Sequence, residues 1–337
     1  MGLVRVIAVT NQKGGVGKTT TVANLGAALA QRGLNVCLLD LDPQAHLTMH
    51  FGIDPTSATI TIYDVLTADA PLSQSAVLVE PHLTVVPSII DLAAAEVELA
   101  GAVGRERVLA DALAAEPLPY DLLLVDCPPS LGLLTLNALA AAKEVLIPLQ
   151  PHFLALQGLG KLLETVALVQ RRINAELRVF GIVLCMYESG TRLAAEVAED
   201  VRQFLAAARG NDCPWSQTRV FTTRVRRNIK LAECPSHGTT IFHYDPLSRG
   251  ATDYQALAEE FLSVRPDGQA TCSPTELEGP SSEKTGPAEE PGRPAEPAEP
   301  AEGTYRPTET SAQPAGTPPE PCPPPAAEGH QPPQPEP

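Results

Sequence analysis

Residues 11–20 read NQKGGVGKTT, directly after the apolar run Val4, Val6, Ile7, Ala8, Val9. A strand that breaks into a glycine-rich loop and then opens a helix presents successive backbone N–H groups to an anion. In that setting Lys18 reaches the β- and γ-phosphates of a nucleotide, and the Thr19 hydroxyl serves Mg²⁺. The common form of the loop has a glycine five residues ahead of its Gly-Lys pair. Here Gln12 holds that place, and a second lysine, Lys13, precedes Gly14, Gly15, Val16 and Gly17. Lys13 is redundant for a nucleotide already held by Lys18, so its charge is free for another phosphate. In a face-to-face dimer that phosphate belongs to the ATP of the opposite subunit. The stretch predicts an ATP site.

Working outward, strand-like apolar runs appear at 4–9, 36–39, 83–86, 122–125, 145–147 and 179–185. Several are apolar on both faces, as buried parallel strands require. Helical patterns run from the phosphate loop to Gln31, stopping before Gly33, and over 105–115, 159–171, 193–208 and 251–264. This alternation predicts an α/β fold: a doubly wound, mostly parallel sheet with helices on both faces, of the P-loop NTPase type. Ligands then sit at the carboxyl ends of the strands. Two such ends carry carboxylates. Asp40 and Asp42, in Leu38-Leu39-Asp40-Leu41-Asp42, share one side of an extended chain, which places one near Mg²⁺ and the other near an attacking water. Asp126, after four apolar residues, reads as a second magnesium-side carboxylate.

Composition changes abruptly near Pro266. Residues 266–337 hold 20 of the 34 prolines, 13 acidic residues and 3 basic ones, and almost no large apolar side chain. Such a segment cannot bury enough surface to offset its chain entropy, so two parts are expected: an ATPase domain over 1–265 and a disordered acidic tail over 266–337. The first 265 residues carry 21 basic and 27 acidic residues, a net of −6 against −16 for the whole chain. The seven cysteines stand singly, without a C-x-x-C pair, which fits a reducing cytoplasm. No apolar run approaches membrane-spanning length.

The chain resembles the ParA/Soj-type partitioning ATPases of the deviant-loop superfamily that also contains MinD. The resemblance rests on NQKGGVGKTTT at 11–21, LLDLDPQ at 38–44, VVPS at 85–88, VDCPPSLGLLTLNAL at 125–139, EVLIPLQ at 144–150, AECPSHG at 232–238 and YDPLSRGATDYQALAEEF at 244–261. It covers about residues 3–264. By resemblance, Lys13 is the signature lysine that reaches across an ATP-sandwich dimer. Lys18 and Thr19 hold phosphate and Mg²⁺, and Thr20 lies near the α-phosphate. Asp42 positions or activates water, and Asp126 stands on the Mg²⁺ side. A β-carbon at Gly14 should block dimer closure. The resemblance further implies slow ATP hydrolysis stimulated by a ParB-type centromere-binding partner. It also implies binding of double-stranded DNA without sequence preference, only as the ATP-bound homodimer, in a cytoplasmic, nucleoid-associated protein.

Between Arg219 and Lys230 lie five basic residues and no acidic one, in an otherwise acidic domain. This segment resembles part of the family's DNA-binding face, and Arg192, Arg224, Arg226, Arg227 and Lys230 are the expected contacts. If each subunit neutralises about three phosphates, the salt slope is roughly −2.7 for a monomer and −5.4 for a dimer, so dimerisation alone gates binding. Where the family often has an aliphatic-Pro-Arg-Asn sequence, this chain has Val225-Arg226-Arg227-Asn228. The base contact that the resemblance gives to Asn228 therefore sits in an altered turn.

Competing classes fit less well. A MinD-like membrane switch needs a basic amphipathic C-terminal helix, and an acidic tail follows the last helix here. An iron–sulfur reductase needs two cysteines at a dimer axis, whereas Cys127 and Cys185 read as buried thiols. A tyrosine kinase of the superfamily wants a tyrosine-rich tail, and only Tyr305 is present. His46 and His50, four apart, lack a third ligand and read as surface or core residues.

Overall fold

The computed structural model describes residues 4–264; the acidic segment expected over 266–337 lies outside them. Eight strands form one sheet: β1 (Arg5–Val9), β2 (Val36–Asp40), β3 (Val77–Glu80), β4 (Leu83–Val86), β5 (Leu122–Asp126), β6 (Glu144–Leu149), β7 (Arg178–Tyr187) and β8 (Arg219–Arg226). Their order is β3-β4-β2-β5-β1-β6-β7-β8, parallel throughout except for the antiparallel β3–β4 edge. The expected doubly wound α/β architecture is present, with β1 between β5 and β6 where the winding reverses.

Twelve α-helices accompany the strands among the described residues, the last three of them after β8. They are α1 (Lys18–Ala30), α2 (His46–His50), α3 (Ile62–Thr67), α4 (Leu72–Ser75), α5 (Leu92–Glu98), α6 (Val108–Ala115), α7 (Leu133–Ala141), α8 (Ala155–Arg172), α9 (Arg192–Ala207), α10 (Ile229–Glu233), α11 (Ile241–Tyr244) and α12 (Arg249–Ser263). Both sheet faces are covered. In β1, Val6 and Ala8 join one apolar cluster and Ile7 and Val9 join the other. A strand flanked by two cores has no solvent face, which is why its sequence shows no polar alternation.

α1 is buried on nearly every side. Gly26 makes that approach possible: a β-carbon there would come within 2.5 Å of a Leu38 methyl carbon in β2. The helix ends at Ala30, and Gly33, at φ 84°, turns the chain toward β2. Register brings three strand ends level, with Val9 and Asp40 both paired to Asp126. The phosphate loop therefore leaves β1 beside two carboxylates.

Two strands were not anticipated from sequence. β3 is a four-residue, half-exposed edge strand. β8 buries only Phe221 and Val225 in a segment rich in arginine and threonine, so its charge hides its alternation. Among the described residues no helix is long and apolar enough to cross a membrane.

Candidate active site

The loop after β1 is shaped by glycine. Gly15 and Gly17 adopt φ 72° and 91°, a region that costs glycine nothing and other residues a good deal. Gly17 ends the loop, and α1 starts with Lys18, Thr19 and Thr20, with no side-chain cap and no acid in its first turn. Its N-terminal N–H groups are thus left for an anion. Lys18, 7% exposed, folds back until its ammonium is 3.5 Å from the Lys13 carbonyl oxygen. Burial lowers its pKa, and the charge of Asp126 partly offsets this.

The two lysines face different clefts. Lys18 lines one of about 550 Å³ together with Gly14, Gly15, Thr19, Thr20 and Asp42. Lys13 lines another, of about 470 Å³, with Gln150, His152 and Lys161. Its ammonium donates to Gln150 Oε1 at 3.3 Å, and its backbone N–H donates to Asn11 Oδ1 at 3.1 Å. Asn11 in turn donates to the Pro148 carbonyl at 2.8 Å, tying the loop to β6. Gly14 sits between: a β-carbon there would meet nothing within 4 Å of its own subunit.

The three carboxylates have separate fates. Asp126 is fully buried, and neither of its oxygens has a hydrogen-bond partner. Burial pushes its pKa well above the usual carboxylate range, and nearby Asp40 adds to the rise. Thr19 and Lys18 ease this, although the Thr19 hydroxyl does not reach hydrogen-bonding geometry on either oxygen. A buried, unpaired carboxylate is costly unless something binds it. Mg²⁺ suits the set: a hard cation that takes one or two protein oxygens and completes its shell with phosphate and water. Thr19 and Asp126 would hold it, with Asp42 nearby. Among the described residues no group of three or more His, Cys, Asp or Glu gathers as a cage.

Asp40 departs from expectation. Its carboxylate is fully buried and accepts the backbone N–H and hydroxyl of Thr48 at 2.8 and 2.7 Å and the backbone N–H of Asp42 at 3.2 Å. It organises the turn after β2 and does not line the cleft. β2 ends at Asp40, so the spacing of two does not carry Asp42 along the same strand face. Asp42 lies in the cleft instead, with Oδ1 accepting the Gln44 N–H at 3.0 Å and its carbonyl accepting the Ser88 hydroxyl at 2.9 Å. The turn closes at Ala45, which is held at φ 51°.

His46 is exposed, while His50 is buried with Nε2 unpartnered, and burial pushes its pKa down to about 4. The pair does not gather a third ligand. Cys127 and Cys185 are buried thiols; burial raises Cys185 to about 12 and Cys127 further still, which makes both poor nucleophiles and ligands.

Comparisons with known proteins point to one family. A family model described as an AAA domain matches residues 4–179. The sporulation initiation inhibitor protein Soj of Bacillus subtilis is 45% identical over 258 residues, covering 76% of this chain and 97% of Soj. The chromosome partitioning protein ParA of Myxococcus xanthus is 44% identical over 262 residues, covering 77% of this chain and 88% of that protein. The chain belongs to the ParA/Soj family of chromosome-partitioning ATPases. Among solved structures it is similar to cobyrinic acid a,c-diamide synthase from Mycobacterium smegmatis with bound ATP analogue and magnesium. That match has a TM-score of 0.65 at 38% identity and covers 77% of this chain and 95% of that one. MinD from Pyrococcus horikoshii, complexed with Mg-ADP, matches with a TM-score of 0.60 at 27% identity, covering 77% and 96%.

In this ParA/Soj ATPase the basic segment is β8 and the turn after it. Four of its five cations, Arg224, Arg226, Arg227 and Lys230, are already engaged. Arg224 lies over the Tyr187 ring at 4.4 Å, Arg227 donates to Glu188 at 3.1 Å, and Lys230 pairs with Glu233 at 3.0 Å. Arg192, at the start of α9, pairs with Glu196 at 2.7 Å and is 92% exposed. Arg226 differs from these: its guanidinium is committed to buried Asp253 of α12. Sequence reading grouped it with the DNA contacts, and nothing local marks a partner 27 residues away. Asn228 caps α10, its Oδ1 accepting the Lys230 N–H at 2.9 Å. It also borders a third cleft of about 390 Å³ that shares Gly17, Thr20 and Met186 with the phosphate cleft. Tyr254, whose hydroxyl is 3.3 Å from Thr21 Oγ1 of α1, was not singled out from sequence either.

Proposed function

We propose that this ATPase is a dimerising switch that binds DNA without sequence preference. ATP and Mg²⁺ occupy the wide cleft, and two subunits close face to face over their loops. The closed dimer binds duplex DNA in the nucleoid, and hydrolysis, stimulated by a ParB-type partner, releases it. The work done is segregation or positioning of a chromosome, a plasmid or another cargo. Residues 1–265 form the ATPase domain and 266–337 a separate acidic segment.

The observation that carries this reading is Asp126, a buried carboxylate with no partner, beside Lys18 and Thr19. Solved neighbours that hold an ATP analogue or ADP with magnesium give independent support. Lys18 and the loop N–H groups bind the phosphates. Thr20 follows them toward the α-phosphate. Mg²⁺, when bound, neutralises charge that builds on the phosphates during transfer. Asp42 orients the attacking water from the cleft wall. Lys13, turned away from its own subunit's phosphate cleft, is the residue available to a second subunit's nucleotide. Arg192, Arg224, Arg227 and Lys230 supply the phosphate contacts to DNA, which needs each to exchange an acidic or aromatic neighbour for DNA.

Gly14→Val tests the closure directly. Because its side chain meets nothing in the single subunit, the variant should fold and bind ATP like the parent. Its mass in solution with ATP should stay that of a monomer, while the parent doubles. A variant that dimerises normally, or one that cannot bind ATP, contradicts face-to-face closure at this loop.

A further inference from the structure

Asp253 and Tyr254 are neighbours near the start of α12, and they hold two different walls. Asp253 accepts the backbone N–H of Arg226 at 2.9 Å, and Nε of the same arginine reaches both carboxylate oxygens at 3.1 and 3.0 Å, with a terminal guanidinium nitrogen completing the fork. Tyr254 contacts Thr21, two residues past Thr19 in α1. One turn earlier, Gly250 leaves no space: a β-carbon would lie 2.9 Å from Leu231 and 3.1 Å from the Asn228 amide nitrogen. A single stretch of α12 thus fixes the turn after β8 against the helix that carries the phosphate-binding residues. Between those walls lies the cleft of about 390 Å³, which continues from the phosphate cleft and is lined largely by apolar groups such as Met186, Val225 and Leu231.

We propose that Arg226 and Asp253 form a positioning pair that sets the outer wall of the cleft for the nucleotide's base. The inference rests on the ATP reading given above. Arg226 acts on the nucleotide through the turn 227–229 rather than as a contact to DNA phosphate. Its use of Nε, a terminal nitrogen and the backbone N–H on one buried carboxylate is a directional clamp, which a lysine's point charge cannot reproduce.

The test uses the full chain with Arg226→Lys and Asp253→Asn, titrated with ATP and separately with inorganic tripolyphosphate. Both variants should lose about tenfold in ATP affinity yet bind tripolyphosphate within about twofold of the parent, because the phosphate loop is untouched. Preference for ATP over CTP should narrow alongside. Removing one partner of an ion pair whose carboxylate is buried, as Asp253 is, can unfold a protein, whereas an apolar pair of similar size is tolerated. Arg226→Met with Asp253→Leu therefore serves as a folded control, and the same selective loss is expected. Unchanged ATP affinity in folded variants overturns the proposal. So do equal losses for both ligands, which would mean general loosening, and a loss confined to DNA binding, which would make Arg226 a DNA cation. A parent protein that binds neither ATP nor tripolyphosphate overturns the ATP reading itself.

Discussion

The centre of the sheet and its β8 edge treat charge in opposite ways. At the centre, where β1, β2 and β5 end level, Asp126 is sealed from water with no hydrogen-bond partner, and Lys18 is buried beside it. At the β8 edge, Arg224, Arg226, Arg227 and Lys230 each already touch a carboxylate or an aromatic ring. The centre spends folding free energy on a group that is satisfied only when something binds. These four cations are already engaged, so whatever they bind must compete with the partners present. Unpaired burial is therefore the stronger mark of a ligand, and a run of basic residues is the weaker one.

Breaking the centre should have the largest effect. Lys18→Ala removes the buried cation that lines the wide cleft. ATP affinity should fall by about 100-fold or more, since a charge-assisted contact is lost and Asp126 loses its nearest positive neighbour. Calorimetric titration with Mg-ATP checks this, and a loss of a few-fold would separate Lys18 from the nucleotide. Asp42→Ala should leave binding intact but slow hydrolysis by about 100-fold, within the range for removing a group that handles the attacking water. The variant should then remain a dimer on DNA. Normal turnover would show that Asp42 has no part in the chemistry.

At the edge the effects should be smaller and dependent on salt. On the proposed reading Arg227→Ala removes one phosphate contact per subunit, and the salt slope of DNA binding by the dimer should then flatten by about 1.8. Loss of the Glu188 pair costs little, because exposed ion pairs contribute about 0.2–1 kcal/mol. ATP-dependent dimerisation should survive, and its loss would make Arg227 structural.

The smallest change refines the centre from another side. Ala45 holds φ 51° at the end of the Asp42 turn, where an L-residue costs about 1–2 kcal/mol and glycine gives back part of that as chain entropy. Ala45→Gly should raise stability by about 0.5–1 kcal/mol, or a melting temperature gain of about 2 °C. No gain would mean that the surrounding contacts already compensate the strain.

What was legible in the sequence follows the same division. The phosphate loop is local: its glycines, lysines and first helical turn lie within ten residues, so pattern alone gives their positions. All six expected strands are present because strands covered on both faces must be apolar throughout. β3 is too short and too exposed to leave such a pattern, and in β8 arginines occupy the solvent positions and mask the two buried apolar ones. Long-range pairing had no signal at all. The clasp of Arg226 by Asp253, the Tyr254–Thr21 contact and the parking of Lys13 on Gln150 join residues 27, 233 and 137 positions apart. Asp40 shows the limit most clearly. Its spacing from Asp42 suggested a shared task, yet the donors that claim it, from Thr48, lie on the next helix.

The most direct measurement is retention of a random-sequence duplex at near-physiological salt, compared with ATP, with ADP and without nucleotide. Retention with ATP alone is expected, because in the proposed switch only the closed dimer presents two basic edges at once. Equal retention in all three states, or none in any while ATP still binds, would contradict the switch.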